Sequence, residues 1–320
     1  MTRRTASRLC FAVVVALMSG PALAQTYPTK PIRLVVPFPP GGANDTLARL
    51  FAPQLTATLG QNVIVDNRGG GGGNIGTELV AHAPADGYML LYTTNSLPVA
   101  PALYAKLGYK ISDLAPISLV ASFPLIIVVH PSVPAKNVKE LVALAKQRGG
   151  LNYGSTGSGS LNHLTGVLLN NLAGINNVHV PYKGAGPQMV ALMSGEIEMG
   201  VANLFTAAPY VKSGRMRAIA VTSPKPSAAL PSVPAMASVY PGFDTGLWHG
   251  FLTTAGTPPA VVSQLNREIV KAMQSATLRD ALLNGGAEPV GNSPSEFAAI
   301  IAQEVEKYGK LVKLSGATAD

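Results

Sequence analysis

Ile32-Arg-Leu-Val-Val-Pro-Phe-Pro-Pro-Gly-Gly-Ala-Asn-Asp-Thr-Leu47 is a strand, a turn and the start of a helix in one short run. Residues 32–36 are rich in β-branched and aliphatic side chains, the composition of a buried strand. Residues 37–42 are proline and glycine around one phenylalanine, which is turn chemistry. Asn44 or Asp45 suits a helix N-terminus. Leu47, Leu50, Phe51 and Leu55 then follow at helical spacing. Gly60 fits the residue that ends a helix, and Pro53 predicts a kink inside it.

The same alternation continues outward. Strands are expected at 63–65 and 88–92, with a five-glycine loop (69–73) and a helix near 75–83 between them. A second series begins with a strand at 126–129. It continues through strands at 151–153, 178–180, 197–201 and 217–221, with a helix carrying Leu164, Val167, Leu168 and Leu172 on one face and another begun near Pro187. A strand at 248–253 returns toward the first series. Two helices close the chain, the last starting with the capping box Ser293-Pro-Ser-Glu296. Strand–loop–helix alternation predicts an α/β protein with two doubly wound parallel sheets. The expected division is residues 25–124 with 248–320 as one domain and 125–247 as the other.

The N-terminus reads as a secretory signal peptide. Arg3, Arg4 and Arg8 precede an uncharged apolar run at 9–18, and Ala22-Leu-Ala24 supplies a small-residue cleavage site. The apolar run is far shorter than the ~20 residues that span a bilayer. Cleavage after Ala24 would deliver a periplasmic protein with no stable membrane insertion. It would remove the single cysteine, Cys10, and with it disulfide and thiolate chemistry. It would also lower the formal net charge from +8 to +5, since three of the 24 basic residues and none of the 16 acidic ones precede residue 25. That balance, without a basic run, argues against nucleic acid and weakly favours anionic solutes.

In open α/β sheets the ligand site forms beyond the C-terminal ends of the parallel strands. The loops there are small, polar and glycine-rich: 37–44, 67–74, 93–96, 154–160, 182–186 and 203–206. Exposed N–H groups at helix starts bind anions, so such loops suit a carboxylate without an arginine. Ser155, Thr156 and Ser158 fall in a hydroxyl-rich loop, where Ser158 or Ser160 could equally cap the next helix. Asn44, Asn95 and Asn203 sit at strand ends, where amides donate and accept. His163 has two readings of equal standing, a donor to a carboxylate or a packed ring. Asp45 reads first as a helix cap and second as a partner for a ligand amine. Phe38 and Tyr182 are candidates for cleft walls and equally for core. Lys183, beside Gly184, reads as solvent-facing.

Competing chemistries fit poorly. Gly71-x-Gly73-x-x-Gly76 matches a dinucleotide fingerprint literally, but no acidic residue stands clearly at the next strand end. No serine in 154–160 has glycine on both sides at the nucleophile-elbow spacing. That loop also lacks the Gly-Lys-Ser/Thr ending of a phosphate loop. The five histidines form no short metal-binding pair. No cofactor, metal or catalytic residue is expected.

Several signatures together resemble the Bug family, the substrate-binding proteins of tripartite tricarboxylate transporters. They are residues 27–42; Asn67-Arg68 with the glycine run to Gly76; Ala85-Asp-Gly-Tyr88; Leu151-Asn-Tyr-Gly154; His163-Leu164; Val180-Pro-Tyr-Lys-Gly184; Gly214-Arg215 through Ser223; and Leu230-Pro231 with Val233-Pro234. The resemblance implies a type II periplasmic binding-protein fold with a hinge and an interdomain cleft. It implies a small organic carboxylate as ligand: a dicarboxylate, a citrate-like acid, an amino acid or an aromatic acid. It implies permease subunits as partners, and a carboxylate held partly through waters on the loop of Phe38, Gly41, Gly42, Asn44 and Asp45. The sequence departs from the family pattern at Gly69 and Gly71 in the glycine loop, at Ala43 and Asn44 after the double glycine, and at Ser232 and Ala235. An exported solute-binding protein serving such a transporter is the leading expectation. A binding protein that reports to a sensor is the alternative, and an exported enzyme comes after it.

Overall fold

The computed structural model describes residues 27–41, 43–182, 184–284 and 287–318. The expected signal peptide and its cleavage site, with Gly42 and Lys183, lie outside the described residues.

Strands β1 (Ile32–Val36), β2 (Val63–Asn67) and β3 (Met89–Thr94) are parallel, with β1 in the middle. Helices α1 (Ala43–Leu59) and α2 (Asn74–Ala81) connect them. Helix α3 (Ser96–Leu103) leaves the end of β3. Strand β4 (Leu114–Val129) then runs for 16 residues. Beyond it come α4 (Val138–Arg148), β5 (Asn152–Ser155), α5 (Leu161–Ala173), β6 (Val178–Pro181), α6 (Ala185–Ser194), β7 (Met199–Asn203), α7 (Leu204–Lys212) and β8 (Arg217–Val221). The chain returns as β9 (Gly246–Thr254) and ends with α8 (Pro259–Ala272), α9 (Ala276–Asn284), the short β10 (Glu288–Pro289) and α10 (Pro294–Ser315). Among the described residues no helix is long and apolar enough to cross a membrane.

The strands form one continuous path, β2-β1-β3-β9-β4-β7-β5-β6, with β8 and β10 also paired to β4. Strand β4 joins its two halves. Its first part pairs antiparallel with β9, from Leu114↔Thr254 to Pro124↔Gly246, and its last five residues lie between β7 and β8. Side chains alternate along β4 as a doubly covered strand requires. Leu125, Ile127 and Val129 enter a core under α4 and α5, while Ile126 and Val128 enter the opposite core under α6 and α7. Strand β1 does the same, with Ile32, Leu34 and Val36 facing α1 and Val35 facing the other side.

Helix α10 is the second element common to both halves. At 22 residues it is roughly 33 Å long. Its Phe297 and Ile301 enter the core beside β3 and β9, and its Tyr308, Leu311 and Val312 enter the core beside β5. The expected box starts it: Ser293 Oγ accepts from Glu296 N, and Glu296 accepts from Ser293 N at 2.8 Å.

Three elements differ from the sequence expectation. The strand expected at 126–129 begins at Leu114, because Pro116 and Pro124 disguise an edge-to-edge crossing strand as a loop. Helix α3 forms despite Pro98 and Pro101; Pro98 falls in its first turn, where no N–H is required. Three helices, not two, follow β9.

Candidate functional site

The C-terminal ends of β3 and β5 face each other across a cleft of about 300 Å³. One wall is Thr94, Asn95 and Ser96 at the start of α3, with Val99, Leu103 and Tyr104 along and just after it, and Gly72 from the glycine loop. The other wall is the segment 156–161 leading into α5. Leu247 of β9 also lines it. The cleft therefore lies where the loops of both strand sets meet, as the rule for open sheets requires. Among the described residues no charged side chain lines it.

Each wall is fixed from behind. Asn95 is buried, and its Nδ2 donates to both carboxylate oxygens of Glu304, at 3.1 and 2.9 Å. Its Oδ1 accepts from Trp248 N at 2.6 Å, and Trp248 Nε1 donates to Glu304 at 2.6 Å. Asn95 is therefore held from behind through both its Oδ1 and its Nδ2. Burial pushes the Glu304 carboxyl above its ordinary value, against the pull of Lys307 and of these donors.

On the opposite wall, Ser155 Oγ lies 2.6 Å from His179 Nε2, donates to Gly157 O and accepts from Gly157 N. Gly159 N donates to His163 Nδ1 at 3.1 Å, so the neutral His163 ring carries its proton on Nε2. The His163 and His179 rings stack at 3.7 Å, 8° from parallel. Burial lowers the pKa of His163; burial and then the His163 ring lower that of His179 to about 4. His163 thus braces the loop and Ser160 caps α5, accepting from His163 N. Thr156 Oγ1 donates to Asn162 Oδ1, and Ser158 is exposed at the cleft.

Of the residues singled out in sequence, Asn95, Thr156 and Ser158 line this cleft, and Ser155 and His163 stand directly behind it. Phe38, Gly41, Asn44 and Asp45 are not among its lining residues. Phe38 packs partly against the core beneath α1, and its Cζ is close to the backbone of Gly73. Asp45 is buried in the first turn of α1. Its Oδ2 accepts from Gly41 N at 2.9 Å, and Arg49 Nε lies within 3.0 Å of both carboxylate oxygens, the Oδ2 contact being the aligned hydrogen bond. Arg49, then Gly41, hold its carboxyl below the usual carboxylate range. Tyr182 is half-buried, with Oη on Glu196 at 2.9 Å. Asn203 is half-buried at the end of β7, opposite Leu125. Leu103, Tyr104 and Leu247 escaped the sequence reading. Leu103 ends an unexpected helix and Tyr104 follows it, and nothing local marks Leu247 as facing a cleft.

Two parallel-strand sets, joined by crossing strands and meeting at a cleft between their loop edges, define a periplasmic solute-binding protein. The comparisons name its kind. The chain belongs to the tripartite tricarboxylate transporter receptor family (TctC), whose model matches residues 47–317. It is 37% identical to the protein BugT of Bordetella pertussis over 95% of both chains. A TctC solute-binding protein from Polaromonas, solved without ligand, superposes with a TM-score of 0.83 at 31% identity, over 90% of this chain and 99% of that one. A Rhodopseudomonas palustris protein solved with adipate gives a TM-score of 0.73 at 34% identity, over 91% and 99%. Another, MatC, solved with malate, gives 0.70 at 29% identity, over 89% and 100%. The family is one of solute-binding receptors, not of enzymes.

Proposed function

We propose that this receptor captures a small organic carboxylate in the cleft between β3 and β5 and hands it to the permease subunits of a tripartite transporter. The observation that carries the reading is the chemistry of the cleft: hydroxyls of Ser96 and Ser158 and the start of α5 converge there, without a charged side chain among the described residues. Oriented N–H and O–H groups recognise a carboxylate at lower desolvation cost than a buried lysine or arginine. The relatives solved with adipate and malate support it. In this reading the chain is exported and cut after Ala24, and residues 25–124 with 248–320 form one closing body and 125–247 the other. Phe38, Gly41, Asn44 and Asp45 approach the ligand's acid group on closure.

A thermal-shift screen of the processed protein against mono-, di- and tricarboxylates, each paired with its methyl ester, tests this. A true ligand at 100 times its Kd stabilises the fold by about 2.7 kcal/mol. The acid should shift the transition and the ester should not. An ester that stabilises as well as its acid would remove the carboxylate reading.

A further inference from the structure

Resting on that reading, we infer that the cleft selects a monocarboxylic acid with a compact apolar or aromatic body, and that Leu103 and Tyr104 are the residues that choose it. The first argument is the supply of donors. Thr94 Oγ1 donates to Ser96 Oγ, Thr156 Oγ1 to Asn162 Oδ1 and Ser160 Oγ to Gly157 O. The Asn95 amide nitrogen is turned to the Glu304 carboxylate, within hydrogen-bond distance of both of its oxygens. The hydroxyls of the lining side chains that keep a proton for a ligand are Ser96, Ser158 and Tyr104. With the backbone N–H groups at the start of α5, these satisfy one carboxylate.

The second argument is what faces them. Val99 and Leu103, one turn apart on α3, Leu161 on α5 and Leu247 on β9 supply the remaining surface. A second carboxylate pressed against these four would lose its water without gaining a donor, a cost that excludes it. An apolar body gains from the same burial. The volume, about 300 Å³, is at the small end of ligand pockets.

The third argument is close fit. A Cβ at Gly72 would collide with Tyr104 Oη, and one at Gly159 would meet Leu103 Cδ2 at 2.9 Å. Tyr104 thus lies against the glycine loop, and Leu103 reaches across to the loop after β5. Glycine at both places is what lets these side chains form the wall.

Calorimetric titration with benzoate, phenylacetate, cyclohexanecarboxylate, adipate and malate tests the inference. At least one ring-bearing monocarboxylate should bind ten-fold or more tighter than adipate and malate. Leu103→Asn should narrow that gap, and Tyr104→Phe should weaken the best acid about three- to ten-fold. Adipate or malate binding as tightly as the monocarboxylates overturns the inference and leaves the carboxylate function standing. Binding of none of the five overturns both. Unchanged affinities in both variants remove Leu103 and Tyr104 as the selecting residues, whatever the wild-type order.

Discussion

The amide of Asn95 donates to both carboxylate oxygens of Glu304, at 3.1 and 2.9 Å, across 209 positions of sequence. Asn95 stands on the cleft wall. Glu304 stands midway along α10, the helix whose two ends enter the cores of both halves of the sheet. The carboxylate also receives Trp248 Nε1 from β9. One buried acid therefore ties the cleft to both elements that return from the C-terminal part of the chain.

Glu304→Ala should cost about 2–4 kcal/mol in urea unfolding, because it leaves two buried donor groups without an acceptor. Glu304→Gln, which keeps one acceptor, should cost less. The raised carboxyl gives a pH signature. Above 4.5 the unfolded chain releases this proton while the folded chain retains it, so this contribution to stability falls as pH rises through the folded value. The Glu304→Gln protein should lack that component, and an unchanged pH profile would contradict the assignment.

Acid should destabilise the protein through its histidines. Burial holds His249 down to about 3 and His179 to about 4, and lowers His163 as well. Unfolded histidines take up protons near 6.5, the folded ones only far lower. The stability they contribute is whole above 6.5 and is lost as pH falls toward 4 and then 3. Unfolding free energy measured at pH 7.5 and 4.5 should therefore drop, and His249→Gln should shrink the drop. A drop of the same size in the variant would mean that His249 is not among the groups responsible.

Two helical glycines should respond oppositely to alanine. A Cβ at Gly76 in α2 would meet Arg68 O at 2.8 Å and Pro37 Cα at 2.9 Å, backbone atoms that cannot swing aside. Gly76→Ala should cost about 1–3 kcal/mol despite better helix propensity. At Gly309 in α10 no atom lies within 4 Å of the added carbon. Gly309→Ala should therefore stabilise by about 0.5–1 kcal/mol. Melting temperatures of the two variants should move in opposite directions.

Ser293→Ala removes the hydroxyl that caps α10 and should cost about 1 kcal/mol. Since α10 serves both cores, the loss should appear in one shared unfolding transition. Two separated transitions would show that the helix does not couple them.

The layered α/β plan was legible because apolar periodicity is a local property. The strand at Ile32–Val36, the helix ending before Gly60 and the box at Ser293 all announce themselves within a few residues. Strand β4 was half-hidden because Pro116 and Pro124, with Ser118 and Ser122, interrupt the apolar run of its first part, and pairing with β9 and β10 makes it a strand. The site was legible as loops but not as partners. Nothing around Asn95 reveals that Glu304 takes up its amide, and nothing around Ser155 reveals His179 behind it. Such pairings arise only when distant segments meet. Leu103 and Leu247 escaped for the same reason: leucine reads as core wherever it stands.

The placement of β9 between β3 and β4 bears on how the molecule is made. As synthesis proceeds, the strands from β4 to β8 are all available early, whereas β3 lacks one neighbour until residues 246–254 emerge. A chain terminated or clipped before Gly246 keeps a near-complete second sheet and leaves β3 with a bare hydrogen-bonding edge, the kind that recruits other chains into aggregates. The C-terminal quarter thus protects as well as completes: a copy without β9 leaves the edge of β3 open to other chains.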